Sequence, residues 1–331
     1  MKYEFKTDFN RITINLRNIV NQAISDYIQG VKAPSKLLDA SFHLIKSGGK
    51  RIRPIILMEV TELLGGSIEE AIPAGISVEF LHNFTLIHDD IMDRDEFRRG
   101  VKTTHVLYGD SMALLAGDFL FSIVFNILSK SYDDEKTKEL VKIFSWASME
   151  ICKGQAMDIE PDIYIKSVED YLEMIYLKTA SLIEASAVAG AIVADAYEYS
   201  EVIKSFGRKI GIAFQIADDL LGILGDPKKT GKPVGNDIRN GKKTLPVLYT
   251  FEHADKDQLA EFKRIFGSPK ASDEEINHVV DIIKSVGAID YSRDYMYKLA
   301  DEAIQLLKSF PSSKARDYLE DLVRFIVYRE V

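Results

Sequence analysis

The chain has 331 residues, a formal charge of −9 and 46% apolar side chains, ample for a large core. The acidic balance argues against nucleic acid as the main partner. A single cysteine, Cys152, excludes a disulfide framework and is expected as a small buried side chain in a protein of the reducing cytoplasm.

The opening segment, MKYEFKTDFN, alternates charge with bulk and carries no apolar signal region. Apolar residues then recur at three and four, Gly and Pro mark the breaks, and no sustained period-two pattern appears. The chain therefore reads as an all-α helical bundle forming one domain over residues 1–331, its sites built from side chains on facing helices. Helices are predicted over 10–28 and 36–46, the second stopped by Gly48 and Gly49, then over 55–64 and 68–92. Others follow over 111–129, 135–152, 168–196, 203–224, 291–309 and 315–329. The helix over 168–196 is rich in Ala and Ser, which let helices approach closely. Its longest purely small and apolar run, Ala185 to Ala194, is too short to cross a bilayer, so no transmembrane segment is expected.

The chemistry gathers at LHNFTLIHDDIMDRDEFRRG, residues 81–100. Asp89 and Asp93 stand four apart, so their carboxylates share a helix face, with Asp90 beside them. Carboxylates this close are most stable with cations between them, and Mg²⁺ commonly bridges such acids to a substrate phosphate. Arg98 and Arg99 then offer forked donors for phosphate oxygens. DDxxD alone is a pattern that acid-rich helices produce by accident. A second occurrence decides more: FQIADDLLGILGD ends another apolar run with Asp218 and Asp219. Three basic groups accompany the acids: GGKRIRP with Lys50, Arg51 and Arg53; Lys178-Thr179 inside an apolar helix; and the loop DPKKTGKPVGNDIRNGKKT after the second acids. That loop, with Lys232 and Lys242, reads as a mobile lid over phosphates.

GGKRIRP, DDIMD followed by RRG, Gly154-Gln155, Lys178-Thr179, FQIADD, and GKP with GKKT together resemble the trans-isoprenyl diphosphate synthases, most of all archaeal geranylgeranyl diphosphate synthases. The resemblance implies an isoprenoid-synthase-type bundle with a central active-site cavity. It implies that Lys50, Arg53, His82 and Arg99 hold isopentenyl diphosphate, and that Arg98, Lys178, Thr179, Gln215, Lys232 and Lys242 meet the allylic diphosphate. Asp89, Asp90 and Asp93 would bind Mg²⁺, as more than one ion, from one helix, and Asp218 with Asp219 from the helix opposite. Lys178, Thr179 and Gln215 would serve the chemical step, while His88 is taken as structural. One departure stands out: the residue four after Asp218 is Gly222, where the family commonly has Asp.

The same resemblance implies successive additions of isopentenyl diphosphate to dimethylallyl, geranyl and farnesyl diphosphates, with release of diphosphate. Phe84 and Leu81 are expected on the face of Asp89, one and two turns deeper, as the floor that stops growth near C20, with the smaller Thr85 between. A farnesyl or mixed C15/C20 synthase and a non-catalytic partner subunit are the competing readings. A terpene cyclase would not need the GGKRIRP and Arg99 set. A homodimer is expected, with the small residues of the central helices at its interface.

Overall fold

The computed structural model describes residues 4–224 and 235–328. Its helices are α1 (Phe9–Gly30), α2 (Ser35–Lys46), α3 (Ile52–Leu63), α4 (Ile68–Asp93), α5 (Thr104–Tyr108), α6 (Asp110–Ser131), α7 (Asp134–Ile159) and α8 (Pro161–Tyr164). After these come α9 (Val168–Ile175), α10 (Ser181–Val193), α11 (Ser200–Leu224), α12 (Asn236–Arg239), α13 (Leu245–His253), α14 (Lys256–Ile265), α15 (Asp273–Ser285), α16 (Ala288–Leu307) and α17 (Lys314–Val327). One hydrophobic core runs through them from Phe9 to Val327. The all-α expectation holds, and α4, α10 and α11 form its centre.

Local chemistry explains the ends of the site helices. A capping box starts α4: Ser67 Oγ accepts from the Glu70 N–H while Glu70 takes the Ser67 N–H. Its 26 residues carry the first acids to the far end, where Arg94 in the left-handed region closes it. Helix α7 runs seven residues past the predicted end at Cys152, because Gly154 does not stop it. Gly154 is there for contact: a Cβ on it would stand 2.3 Å from the Lys178 backbone nitrogen. Cys152 itself is exposed, contrary to expectation, because it falls on the outward stripe of α7 beside Met149 and Lys153.

The segment expected as one helix over 168–196 is broken in the middle. Tyr176–Ala180 is a single π-helical turn between α9 and α10, and it carries Lys178 and Thr179. Every residue of α10 is buried within the chain, so its small side chains serve this chain's own core and are not free for a dimer interface. Among the described residues two stretches are long and apolar enough to cross a membrane by length and composition, α6 and Val168–Val193. The second is 78% buried, as a core helix is, and the first 44%.

A feature absent from the periodicity reading is a two-stranded hairpin, β1 (Phe97–Arg98) against β2 (Val101–Lys102), antiparallel with Phe97 opposite Lys102. Arg99 and Gly100 form its two-residue turn, both at positive φ, 54° and 77°. Two positive φ values match the twist of flanking strands, so the turn is favoured by the hairpin and costs strain at Arg99.

Candidate active site

Two cavities open between α4, the π turn and α11. One, of about 420 Å³, is lined by Arg53, His82, Thr85, Asp89, Arg98, Arg99 and Asp218. The other, of about 620 Å³, is lined by Asp93, Asp158, Tyr171, Asp219, Asp237 and Lys242. Asp95, Lys178, Thr179 and Gln215 line both, so these four side chains stand between a basic space and an acidic one.

The basic side is built on a buried scaffold. Arg51 begins α3 at φ 54°, and its guanidinium donates to Glu79 Oε1 at 2.6 Å, Asn21 Oδ1 at 2.9 Å and the Ile45 carbonyl at 2.7 Å. This pins the turn that presents Arg53. Arg99 reaches back from the hairpin to donate to the Gly48 and Leu44 carbonyls. Its Cζ passes so near Gly49 that a Cβ there would be 3.2 Å away. Arg53 Nη1 donates to Nε2 of His82 at 3.3 Å. Burial, then Arg53, Arg99 and the arginines around them, hold the His82 pKa well below its ordinary value, so the imidazole is neutral and Nε2 accepts. Burial also lowers the Arg53 pKa to about 10, with Arg99 adding to the effect and Glu79 and Asp218 opposing it. Cations held this close without a full set of acids make an anion site. Lys50 is exposed and lines neither cavity.

At the first acid motif Asp89, on the wall of the basic cavity, is pushed up to about 6, first by burial and then by Asp93, against the pull of Lys178 and Arg98. Lys178 Nζ pairs with Asp158. Asp90 lies behind the cavity, fully buried, with Arg98 donating to one oxygen and the other without a partner among the described residues. It lines neither cavity and so braces Arg98 from behind. Opposite, a chain of hydrogen bonds crosses the floor. Thr179 Oγ1 donates to Gln215 Oε1 at 2.9 Å, and Gln215 Nε2 donates to Asp219 Oδ1 at 2.8 Å. The Tyr171 hydroxyl donates to Asp219 Oδ2 at 2.6 Å. Both oxygens of Asp219 are thus engaged, and burial raises its pKa to about 7 in spite of those bonds.

The donor set suits a hard cation. Asp89 and Asp93 offer carboxylate oxygens one helical turn apart, the donor type such an ion takes. Among the described residues no three carboxylate, imidazole or thiol side chains stand close enough to hold an ion alone. An ion there needs oxygens from a bound diphosphate, the way Mg²⁺ is commonly held.

The remaining expectations divide. Thr85 lines the basic cavity, while Phe84 and Leu81 do not. Five residues are about 1.4 helical turns, which swings Phe84 away from the Asp89 face. It packs on Phe121 of α6 at 5.1 Å between ring centroids, and Leu81 lies in the core. His88 sits against the Leu114 carbonyl of α6 at 3.1 Å, a structural place. Lys232 lies outside the described residues, as does the lid loop up to residue 234. Three residues went unassigned in the sequence. Asp158 and Asp237 lack a signal beyond their charge. Gln155 is 6% exposed, and both its amide atoms lack a partner among the described residues.

An all-α cavity with acids on two facing helices and an arginine-rich wall is the architecture of a prenyltransferase that handles diphosphates. The chain belongs to the polyprenyl synthetase family, whose model matches residues 34–283. A short chain isoprenyl diphosphate synthase of Methanocaldococcus jannaschii is 44% identical over 314 residues, 95% of each chain. A geranylfarnesyl diphosphate synthase of Aeropyrum pernix is 42% identical over 94% of this chain and 99% of its own. The crystal structure of a geranylgeranyl pyrophosphate synthetase from Pyrococcus horikoshii superposes with a TM-score of 0.92 at 40% identity, covering 98% of this chain and 100% of that one.

Proposed function

We propose that this single-domain prenyltransferase condenses isopentenyl diphosphate with allylic diphosphates, up to farnesyl diphosphate, and makes geranylgeranyl diphosphate. The observation that carries the reading is the position of Lys178, Thr179 and Gln215, shared by the basic and acidic cavities. Isopentenyl diphosphate would lie against Arg53, His82 and Arg99, with Lys50 reaching in from the rim. The allylic diphosphate would lie where the two cavities meet, near Asp89 and Arg98 of the basic one, Asp93 and Lys242 of the acidic one, and Lys178, which lines both. Mg²⁺ bound between that diphosphate and Asp89, Asp93 and Asp218 would neutralise the leaving group's charge.

The chain's own groups set the rest. Lys178 and Arg98 take up negative charge as the allylic carbon–oxygen bond breaks, where electrostatic help lowers the barrier most. Thr179 and Gln215 turn neutral oxygens toward the cation, and their mutual hydrogen bond holds them in place without making either a strong nucleophile. The Leu86, Ile151, Leu182 and Phe214 walls keep water from capturing it. The isopentenyl double bond attacks the cation, and the proton lost afterwards goes to the released diphosphate.

A homodimer fits the apolar face of α6, where Leu114 and Leu115 are 47% and 50% exposed. A cytoplasmic setting suits the lone, exposed thiol. C20 is the product favoured, with the geranylfarnesyl relative marking C25 as the competitor. The deciding experiment elongates labelled isopentenyl diphosphate from dimethylallyl, geranyl and farnesyl primers, with and without Mg²⁺. A Mg²⁺-dependent C20 product supports the reading, and no elongation from any primer sinks it in favour of a partner subunit.

A further inference from the structure

The run GKKT holds two adjacent lysines, and the fold gives them different places. Lys242 is 54% exposed, with Nζ 4.0 Å from Oδ1 of Asp237, and lines the acidic cavity. Lys243 is committed to the protein. Its Nζ donates to the carbonyls of Pro161 and Ile165, each at 2.9 Å, and meets Oδ1 of Asp162 at 2.9 Å, with the side chain only 17% exposed. An ammonium has three protons, so three acceptors leave none for a ligand. Asp162 is almost fully exposed, a pairing worth little in water, so the two carbonyls carry the attachment.

Those carbonyls belong to the wall across the acidic cavity. Pro161 opens α8 and Ile165 follows its last residue, and the Pro161 carbonyl also takes the Ile165 N–H at 2.9 Å to close that turn. Just before α8 stands Asp158, the partner of Lys178. The wall that carries Lys242 is fixed from its other end. Helix α12 is seated on α11 where Gly222 has no side chain: a Cβ there would stand 2.3 Å from Oδ2 of Asp237. The Ile238 carbonyl accepts from the N–H groups of Gly241 at 3.2 Å and Gly267 at 2.9 Å, and the Lys242 N–H reaches the Asp237 carbonyl at 2.9 Å. The backbone is thus held ahead of Lys242 by this turn and behind it by Lys243.

We propose that Lys243 is a positioning residue: by bonding α8 across the acidic cavity it sets the place of Lys242, and through Lys242 the grip on the allylic diphosphate. The inference rests on the prenyltransferase reading above, in which Lys242 meets that diphosphate. A lysine that served only the stability of α8, or that touched diphosphate itself, would act independently of Lys242, and this separates the roles.

The test is a double-mutant cycle on elongation, with geranyl diphosphate and isopentenyl diphosphate varied in turn. Lys243→Met keeps the stem and removes the donors. Its kcat/KM for geranyl diphosphate should fall by about tenfold to 100-fold, the scale on which a displaced positioning group costs rate, while KM for isopentenyl diphosphate stays near wild type. Lys243→Arg, which can still donate to both carbonyls, should recover most of the loss. Lys242→Met with Lys243→Met should be no worse than Lys242→Met alone, because residues that act through one contact are not additive. Additive losses, equal losses for both substrates, or a Lys243→Met or Lys242→Met variant as active as wild type would each overturn the inference alone. Should Lys243→Met misfold by circular dichroism, Lys243→Gln, shorter and with one amide group to donate, takes its place in the cycle with the same expected direction. A wild-type chain that elongates no primer would sink the reading of function and the inference with it.

Discussion

Arg51 donates to Glu79 at 2.6 Å with the two side chains only 2% and 3% exposed. The bond joins the start of α3 to the middle of α4, directly beneath the arginines and His82 of the basic cavity. Removing one partner of a buried pair leaves the other charge without compensation, at a cost of roughly 3–5 kcal/mol. Glu79→Ala is therefore expected to lower the melting temperature sharply. Glu79→Gln keeps an acceptor for Arg51, should melt between the two, and should raise KM for isopentenyl diphosphate more than it lowers kcat. Equal KM values for wild type and Glu79→Gln would show that the pair does not position that site.

Gly49 gives a more local probe. A Cβ there meets Arg99 Cζ and Nη1 at 3.2 Å and Arg51 Nη1 at 3.3 Å, so an alanine must displace the end of a side chain, not the backbone. Gly49 also has φ 153°, which L side chains rarely adopt. Gly49→Ala should leave the fold intact and weaken isopentenyl diphosphate binding, with the affinity for allylic diphosphate little changed. Separate binding titrations with the two diphosphates check it.

Two buried acids away from the chemistry make stability depend on pH. Burial pushes Glu59 up to about 8 and Glu184 up to about 7, each far above an unfolded carboxyl. The folded state thus holds protons that the unfolded state has released. Stability is fullest below the unfolded pKa and is lost as pH rises through the folded values. Melting temperature is expected to fall between about pH 6 and 8, and Glu59→Gln should flatten the slope. A melt that rises with pH over that range would contradict the assignment.

Much of this site is legible in the residues because helices and acids obey simple spacing. Asp89 and Asp93 share a face by the 3.6 period, and Gly48-Gly49 stop α2 as glycines do. What escapes is local or distant. The π turn at Tyr176–Ala180 has the same apolar pattern as the helices on either side, so only the close approach of Gly154 betrays it. The hairpin at 97–102 is too short for a period to register, although Arg99-Gly100 is its turn. Asp237 meets Gly222 through the path of a loop, which spacing does not encode.

On the proposed function, product length should follow from which side chains of α4 meet the cavity. Thr85 does, with its hydroxyl turned back to the His82 carbonyl at 2.8 Å. Thr85→Phe should fill that space and shift product from C20 toward C15, with Mg²⁺ dependence unchanged. Phe84 instead fills the seam between α4 and α6, against Phe121, which in turn packs edge-on to Phe125 at 5.0 Å. A chain growing past Thr85 would have to part that seam, so on this reading the aromatic contact would act as a floor from the side. Phe84→Ala is then expected to lengthen the product past C20. Phe121→Ala should do so as well, since it removes the other half of the same contact. Chromatography of the dephosphorylated products decides it. Lengthening in neither variant would reduce Phe84 to core packing and move the floor elsewhere in the chain or to a second copy of it.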